Sequence, residues 1–441
     1  MITQTLKFVK QHYLRLDFSD LFYKTFLFIV GVSIFMSLIF IKKTTVTSFF
    51  TNPIIYLYAI FVSIFRLSRI GSAFLYKRSL KTLMSAGMVS YEPTITFIIP
   101  CKNEEFAIEK TITKCFEADY PKNKIEVIVI NDGSTDKTLE VLMALKKQLP
   151  ELVVVNWKKN KGKREGMAEG FRRANGEIVV QLDSDSYIDP KTIHSLINPF
   201  INPAVGGVCA HADPENSDKN WLTKIQAAYY FVSFKIQKAA ESTFHLVFCL
   251  SGCCSAYRKD IVLPILDDFL QEKFLGLPIT WGDDRSLTNW VIKKGYKTVY
   301  TDEAQAYTIC PEDLKTFFKQ QVRWKKGWFV NSVLISKFLY KEHPFVAFTY
   351  FFPLFIISIM TPFIAARALI YDPIVNGIVP IIYLLGIFLI TALTVCYYRY
   401  IARENKYWPY IFIWSLINMA VLSFILFYAL ATIQNRKWGT R

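Results

Sequence analysis

The chain has 441 residues, 52% of them hydrophobic, with 37 Phe, 24 Tyr and a mean hydropathy of +0.25, values high for a wholly water-soluble protein. Its formal net charge is +16, but the basic residues are scattered and form no recognition module, which argues against nucleic acid and for anionic lipid and an acidic small substrate as partners. The eight cysteines show no C-x-x-C spacing, so they read as free thiols rather than a structural zinc site.

Two apolar runs open the chain: Thr25 to Ile41, closed by Lys42-Lys43, and Ile54 to Phe65, followed by Arg66, Arg69, Lys77, Arg78 and Lys81. Each is near or below the ~20 residues that cross a ~30 Å hydrocarbon layer, so two closely spaced membrane helices are expected within residues 1–90. The basic segment after them belongs on the cytoplasmic side, and so does the middle of the chain. A signal peptide explains the first run less well, because no small-residue cleavage site follows it.

From Thr94 the pattern changes. Thr94 to Pro100, Ile125 to Ile130, Leu152 to Asn156 and Ile178 to Leu182 are short β-branched runs bounded by polar turns, as buried parallel strands should be. Glu104 to Phe116 and Thr135 to Leu149 have helical spacing, the second with Ser134 or Thr135 as its cap. Such alternation predicts an α/β, Rossmann-like domain over residues 91–330 with its ligand at the carboxyl ends of the strands. The loops Pro100 to Glu104, Asn131-Asp132-Gly133-Ser134 and Asp183-Ser184-Asp185 fall at three such ends.

Two like carboxylates two residues apart, as in Asp183 and Asp185, repel each other unless a cation sits between them. A divalent ion there would bridge to the oxygens of a diphosphate and neutralise it as a leaving group. Taken singly, Asp132-Gly133-Ser134 is equally well a turn with a helix cap, and Gly162-Lys163-Arg164-Glu165-Gly166 a solvated basic loop. The functional reading of the second loop sets Lys163 or Arg164 near a nucleotide phosphate or base. Gly282-Asp283-Asp284-Arg285 is a further close carboxylate pair at the start of a helix; helix capping is its structural explanation. Its chemical explanation is a base, Asp284, that takes a proton from an attacking hydroxyl, with Asp283 and Arg285 orienting it.

A helix starting near Pro311-Glu312-Asp313 puts Gln320, Arg323 and Trp324 on one side, the first two suited to a diphosphate and the indole to a sugar ring. Its basic, aromatic continuation Lys325 to Phe329 suits a membrane surface, as a merely interfacial helix would. Beyond Tyr340, apolar runs near Phe345 to Tyr371, Ile374 to Tyr398 and Trp408 to Ile433 predict three spans within residues 331–441. Three would leave Arg436, Lys437 and Arg441 outside, against their charge, so a fourth passage or a re-entrant segment is expected.

These motifs in this order resemble the membrane-embedded, processive, inverting glycosyltransferases of family two, most closely hyaluronan synthases and their chitin-synthase relatives. The resemblance also takes in Ser251 to Arg258, Phe274-Leu275-Gly276, Leu287-Thr288-Asn289 and the terminal Trp438-Gly439-Thr440-Arg441. It implies a GT-A catalytic domain in the cytoplasm joined to a transmembrane helical bundle in a multi-pass protein of the cell membrane. It implies UDP-sugar donors, a growing polysaccharide that leaves through a channel of the same chain, and Mg2+ or Mn2+ on Asp183 and Asp185. Asp132 with Lys163 or Arg164 would contact the uridine, Gln320 and Arg323 the diphosphate, and Asp284 would be the base. Trp324 would frame the acceptor end, Ser251, Cys253, Cys254, Tyr257 and Arg258 would line its pocket, and Trp438 would close the gate. Lys325-Lys326-Gly327-Trp328 departs from the vertebrate hyaluronan-synthase pattern, which keeps chitin or another β-linked homopolymer open as the product. A non-processive transferase with a lipid-linked acceptor is a further alternative.

Overall fold

A computed structural model describes residues 24–33, 36, 53–84, 91–377 and 381–435. The chain divides into two compact units, one of residues 67–363 with 417–441, the other of residues 1–66 with 364–416.

The larger unit is built on an eight-stranded mixed sheet. Its strands are β1 (Ile95–Cys101), β2 (Ile125–Asp132), β3 (Val153–Trp157), β4 (Ile178–Gln181), β5 (Ser186–Ile188), β6 (Val205–Pro214) and β7 (Ser255–Arg258). A small hairpin, β8 (Lys273–Phe274) and β9 (Leu277–Pro278), stands apart, and β10 (Lys297–Thr308) completes the sheet in the order β3-β2-β1-β4-β7-β6-β10-β5. The first four strands run parallel, as their Ile/Val-rich runs predict, and β1 and β4 are buried throughout. Strand β7 is antiparallel to both neighbours, and β5 pairs antiparallel with the far edge of β10. This is the curled α/β sheet of the GT-A class.

Long helix α1 (Pro53–Met84) extends well past the apolar run that announced it. Helices α2 (Ile108–Phe116), α3 (Thr138–Gln148) and α4 (Lys163–Arg173) cover the parallel strands. The first two start later than the periodicity suggests, and α4 begins inside the Gly162 to Gly166 segment that reads as a loop in the sequence. Neither Ser134 nor Thr135 caps α3; the Oδ1 of Asp136 accepts from the backbone and hydroxyl of Thr138 at 3.0 and 2.6 Å. Ser134 and Thr135 are instead bound to the neighbouring loop, through Asn131 and Asn103. Helix α4 packs so closely that a Cβ at Gly170 would lie 2.9 Å from the Ile98 side chain, which brings the head of α4 to the ligand end of the sheet.

Three further helices matter to the site: α5 (Trp221–Val232), α6 (Asp283–Lys293) and α7 (Leu314–Glu342). Helix α5 opens with a capping box between Asn220 and Thr223 and continues through a π-helical turn, Ser233–Lys238, to Ser242. Helix α7 is capped by Asp313, which accepts from the Thr316 amide at 2.9 Å.

Among the described residues, three helical segments are long and apolar enough to cross a membrane: Leu57–Met84, Pro344–Asn376 and Tyr383–Ile401. A bent pair, Tyr410–Leu422 with Ile425–Ala431, would make one broken span or a re-entrant loop, and it falls on the third apolar run predicted after Tyr340. Lys24–Ser33 is a shorter apolar helix, and the rest of the first predicted run lies outside the described residues. Exposed Phe26, Phe28, Ile64, Phe348, Ile356, Phe363, Phe388 and Leu416 on these segments suit contact with lipid tails. Within the smaller unit, Phe388 stacks on Phe412 with centroids 5.3 Å apart, and Thr391 donates to Ser415 at 3.1 Å.

Candidate active site

The loops at the ends of β1, β2 and β4 meet the head of α4, as their positions in the sequence predict. Asp132, 3% exposed, receives the backbone N–H of Lys161 at 2.6 Å and of Gly162 at 2.9 Å, one on each carboxylate oxygen. It therefore moors the loop that leads into α4. Gly133, at φ 65°, has no room for a side chain: a Cβ there would lie 2.7 Å from the Asn160 backbone.

The two basic residues at the head of α4 part company. Lys163 forms an ion pair with Asp183, both side chains being about one quarter exposed or less. Burial alone would lower its pKa, but the charges of Asp183, Asp283 and Asp284 outweigh this and hold the ammonium above its ordinary value. Arg164 is buried and turns the other way: its Nε donates to Asp283 at 2.8 Å and its NH1 to the Phe269 carbonyl at 2.9 Å, with Glu272 at 3.3 Å. Arg164 and Asp283 thus tie α4 to the first residue of α6. Removing one member of such a pair leaves the other charge buried, so Arg164→Met is expected to cost about 3–5 kcal/mol, read as a lowered unfolding temperature.

Asp284 is half-buried at the head of α6. Its Oδ1 accepts from the Arg285 amide at 2.9 Å and its Oδ2 from the Cys249 thiol at 3.3 Å. Burial, then the neighbouring Asp284, pushes the Cys249 thiol up to about 12, which keeps it protonated and donating. Three residues on, the Gly252 carbonyl accepts the Asp183 N–H at 2.8 Å, and a Cβ on Gly252 would sit 2.7 Å from the Asp183 carboxylate. One four-residue segment therefore touches Asp284 with its first residue and Asp183 with its last. Such a segment spans at most about 11 Å, so the two acidic loops lie close to each other.

Other predicted residues divide. Cys253 is half-buried, its thiol raised by burial and then by Asp183 and Asp185. Cys254 is buried in the sheet, and Tyr257 is fully buried, edge-on to Phe171 at 6.0 Å. Ser251 lies 3.7 Å from Cys209. Arg258 stands apart from them. Strand β7 runs antiparallel to β4, so Ser255 opposes Gln181 near the acidic loop while Arg258 opposes Ile178 at the far end. There its guanidinium serves the carbonyls of Phe200 and Val205, the latter at 3.0 Å.

On α7, Gln320 is 8% exposed with an Oε1 that has no hydrogen-bond partner, and Trp324 lies 6.5 Å from Tyr230 of α5. Tyr230 stacks in turn on Phe234 with centroids 6.2 Å apart, and burial holds its hydroxyl well above the usual tyrosine range. Trp438 lies outside the described residues.

Several residues that sequence reasoning passed over hold this arrangement. Gly282, at φ 68°, meets Gly327 of α7 backbone to backbone; a Cβ on Gly327 would come within 3.0 Å of the Gly282 Cα. Asn331 bonds the carbonyls of Gly282 and Gly327 at 3.3 and 2.9 Å, and Asn289 donates to the Asn331 carbonyl at 3.1 Å. Glu241 holds the segment beside Asp284, accepting from the Phe248 amide at 3.1 Å and the Tyr350 hydroxyl at 2.7 Å, while Arg69 covers the Tyr350 ring at 4.1 Å. Lys238, brought inward by the π turn, donates to the Cys249 carbonyl.

Among the described residues no group of three or more His, Cys, Asp or Glu is placed to hold a metal ion. Asp183 and Asp185 supply two carboxylates, a donor set that fits a hard divalent ion whose other ligands are diphosphate oxygens and water. That Asp183 already pairs with a cation, Lys163, marks it as a position that calls for positive charge.

Residues 96–265 match the model of the glycosyl transferase family 2. An N-acetylglucosaminyltransferase of Azorhizobium caulinodans is 29% identical over 358 residues, covering 79% of this chain and 87% of that protein. A hyaluronan synthase of Streptococcus pyogenes is 27% identical over 426 residues, covering 95% of this chain and 96% of the relative. Among solved structures, a mannosyltransferase from Pyrobaculum calidifontis, in complex with GDP-Man and Mn2+, is similar with a TM-score of 0.51 at 18% identity, covering 86% of this chain and 100% of the other, a likeness of fold. Residues 96–265 are thus similar to family 2 glycosyltransferases, and over nearly its whole length the chain resembles hyaluronan synthase.

Proposed function

We infer that the protein is a processive, inverting β-glycosyltransferase that builds a polysaccharide from UDP-sugars and secretes it through its own membrane helices, with UDP-GlcNAc and UDP-GlcA as donors and hyaluronan as product. The observation that carries this reading is the meeting of Asp183 and Asp284 across the Cys249 to Gly252 segment, which sets a donor-holding carboxylate close to a base. The near-complete coverage of hyaluronan synthases supports the product. The relative named N-acetylglucosaminyltransferase supports a second reading, a chitin-type polymer from one donor.

In this reading Asp183 and Asp185 would hold Mg2+ or Mn2+, which supplies charge neutralisation to the departing diphosphate. Lys163, Gln320 and Arg323 bind the diphosphate, Gln320 through the N–H groups of its amide. Asp132 shapes the nucleotide end by mooring the 160–162 loop. Trp324 and Tyr230 present aromatic faces to the acceptor sugar. The acceptor hydroxyl passes its proton to Asp284 as its oxygen bonds to the anomeric carbon. The bond to the diphosphate breaks with its electron pair, and UDP leaves. The reacting atoms need this alignment, and the Arg164–Asp283 tie and the Gly282–Gly327 contact keep the head of α6 in place for it.

Purified protein given UDP-GlcNAc alone, UDP-GlcA alone, and both separates the readings. High-molecular-mass polymer is expected only with both donors. Polymer from UDP-GlcNAc alone selects the chitin-type reading, and a single sugar added to a lipid-linked acceptor would overturn processivity. Removing divalent ions with EDTA is expected to stop UDP release, and adding back Mn2+ or Mg2+ to restore it.

A further inference from the structure

We propose that Lys163 is the resident counter-cation of Asp183 and that its departure couples metal to nucleotide: the divalent ion binds here only in the company of a diphosphate. This rests on the donor-site reading above.

Three observations carry it. First, the backbone that carries the carboxylate is fixed. The Asp183 N–H is held on the Gly252 carbonyl at 2.8 Å and the Asp183 carbonyl accepts from Ser186 at 3.0 Å, and the carboxylate lies so close to Gly252 that a Cβ there would sit 2.7 and 2.8 Å from its oxygens. Second, the backbone of Lys163 is fixed as well. The preceding Gly162, at φ 101°, is held through its N–H by Asp132 at 2.9 Å, so the movable part of the ion pair is the lysine's own flexible stem. Third, the ammonium feels Asp283 and Asp284 in addition to Asp183. Asp283 is already satisfied by Arg164, so an ammonium leaving Asp183 has few anions to go to.

Charge balance then decides the order of events. Asp183 and Asp185, with Lys163 paired to the first, sum to one net negative charge. A bare divalent ion turns this into one net positive charge and evicts the ammonium into a half-buried space with no new partner, which is costly. An ion that arrives with a sugar-nucleotide diphosphate, which carries two negative charges of its own, leaves the balance unchanged and gives the ammonium a phosphate oxygen to bind. Lys163 thus keeps the site closed to free metal and becomes a diphosphate ligand when the pair arrives.

The test titrates Mn2+ into purified full-length protein and follows free Mn2+ by electron paramagnetic resonance, with and without UDP. Wild type is expected to bind Mn2+ weakly alone and far more tightly with UDP. In Lys163→Met, Mn2+ alone should bind at least tenfold more tightly, and the enhancement by UDP should shrink by a similar factor, as reciprocal coupling requires. Lys163→Arg, which keeps the charge, should behave as wild type, and Lys163→Gln should repeat the Met result if the latter folds poorly. Unchanged or weaker Mn2+ binding in the neutral variants overturns the proposal. Asp183→Asn separates the two claims: if it leaves Mn2+–UDP binding intact, the donor-site reading fails, whereas its loss together with an unchanged Lys163→Met defeats the counter-cation role alone.

Discussion

Asp284→Asn is expected to lose sugar transfer by about two to four orders of magnitude while UDP still binds with near wild-type affinity. The size is that of a positioned general base. An amide retains the shape of the carboxylate, and with its oxygen accepting from the Arg285 amide and its NH2 turned to the Cys249 sulfur, a weak acceptor, the head of α6 should keep its geometry. What it loses is the capacity to take the acceptor's proton. Nucleotide binding survives because the residues proposed to hold the diphosphate lie on β4, α4 and α7 rather than on α6. Calorimetric titration with UDP and Mn2+, beside an assay of UDP release, measures both. A variant with more than a tenth of wild-type turnover would remove Asp284 from the base role.

The second large effect is expected at a residue that carries no chemistry. Gly282→Ala puts a side chain at φ 68°, a left-handed conformation that costs an L-residue roughly 1–2 kcal/mol. The added Cβ would also lie 2.8 Å from the Asn331 amide nitrogen and 3.1 Å from the Gly327 Cα. Asn331 is committed to two carbonyls and the Gly327 contact is backbone, so neither yields easily. Relief has to come from moving the start of α6, and Asp283 and Asp284 with it. We expect a lowered unfolding temperature together with a fall in kcat of about a hundredfold, because misplacement of a reacting group by about 1 Å is enough for that. If the variant melts lower but turns over normally, Gly282 serves stability alone.

How far the fold could be read in advance depended on which strands advertise themselves. Strands β1, β2 and β4 are largely buried Ile/Val runs and β3 is a half-buried Val run at the sheet edge, and such runs announce parallel strands without help from tertiary structure. Strand β6 reads Val-Gly-Gly-Val-Cys-Ala-His-Ala-Asp-Pro, and β10 carries Asp302 and Glu303 in its middle. Neither has the composition of a strand, and both exist because the sheet continues across β7 and supplies partners. The cap of α3 was misplaced because Ser134 and Thr135 bond to a loop thirty residues away in sequence, a competition invisible in the local pattern.

The acidic loops were legible for a different reason. Paired carboxylates at strand ends repel, and repulsion in a folded protein demands an explanation that a cation supplies. Partner choice was not legible: nothing in Lys163-Arg164 indicates that the first turns to Asp183 and the second to Asp283, because both choices are made by elements more than a hundred residues apart in the second case. Arg258 followed its motif neighbours in sequence but not in space, since an antiparallel strand carries it away from the loop it seemed to serve. Gly252 and Gly327 were silent for the same cause. A glycine needed for a close approach looks like any other until the approaching surface is known.

X-ray diffraction from crystals grown with UDP and Mn2+, recorded at the manganese absorption edge, puts the whole account to one trial. The anomalous peak should lie at bonding distance from the carboxylates of Asp183 and Asp185, with the diphosphate on its far side and Asp284 across the pocket from it. A peak remote from both carboxylates, or a diphosphate facing away from Asp284, would contradict the account.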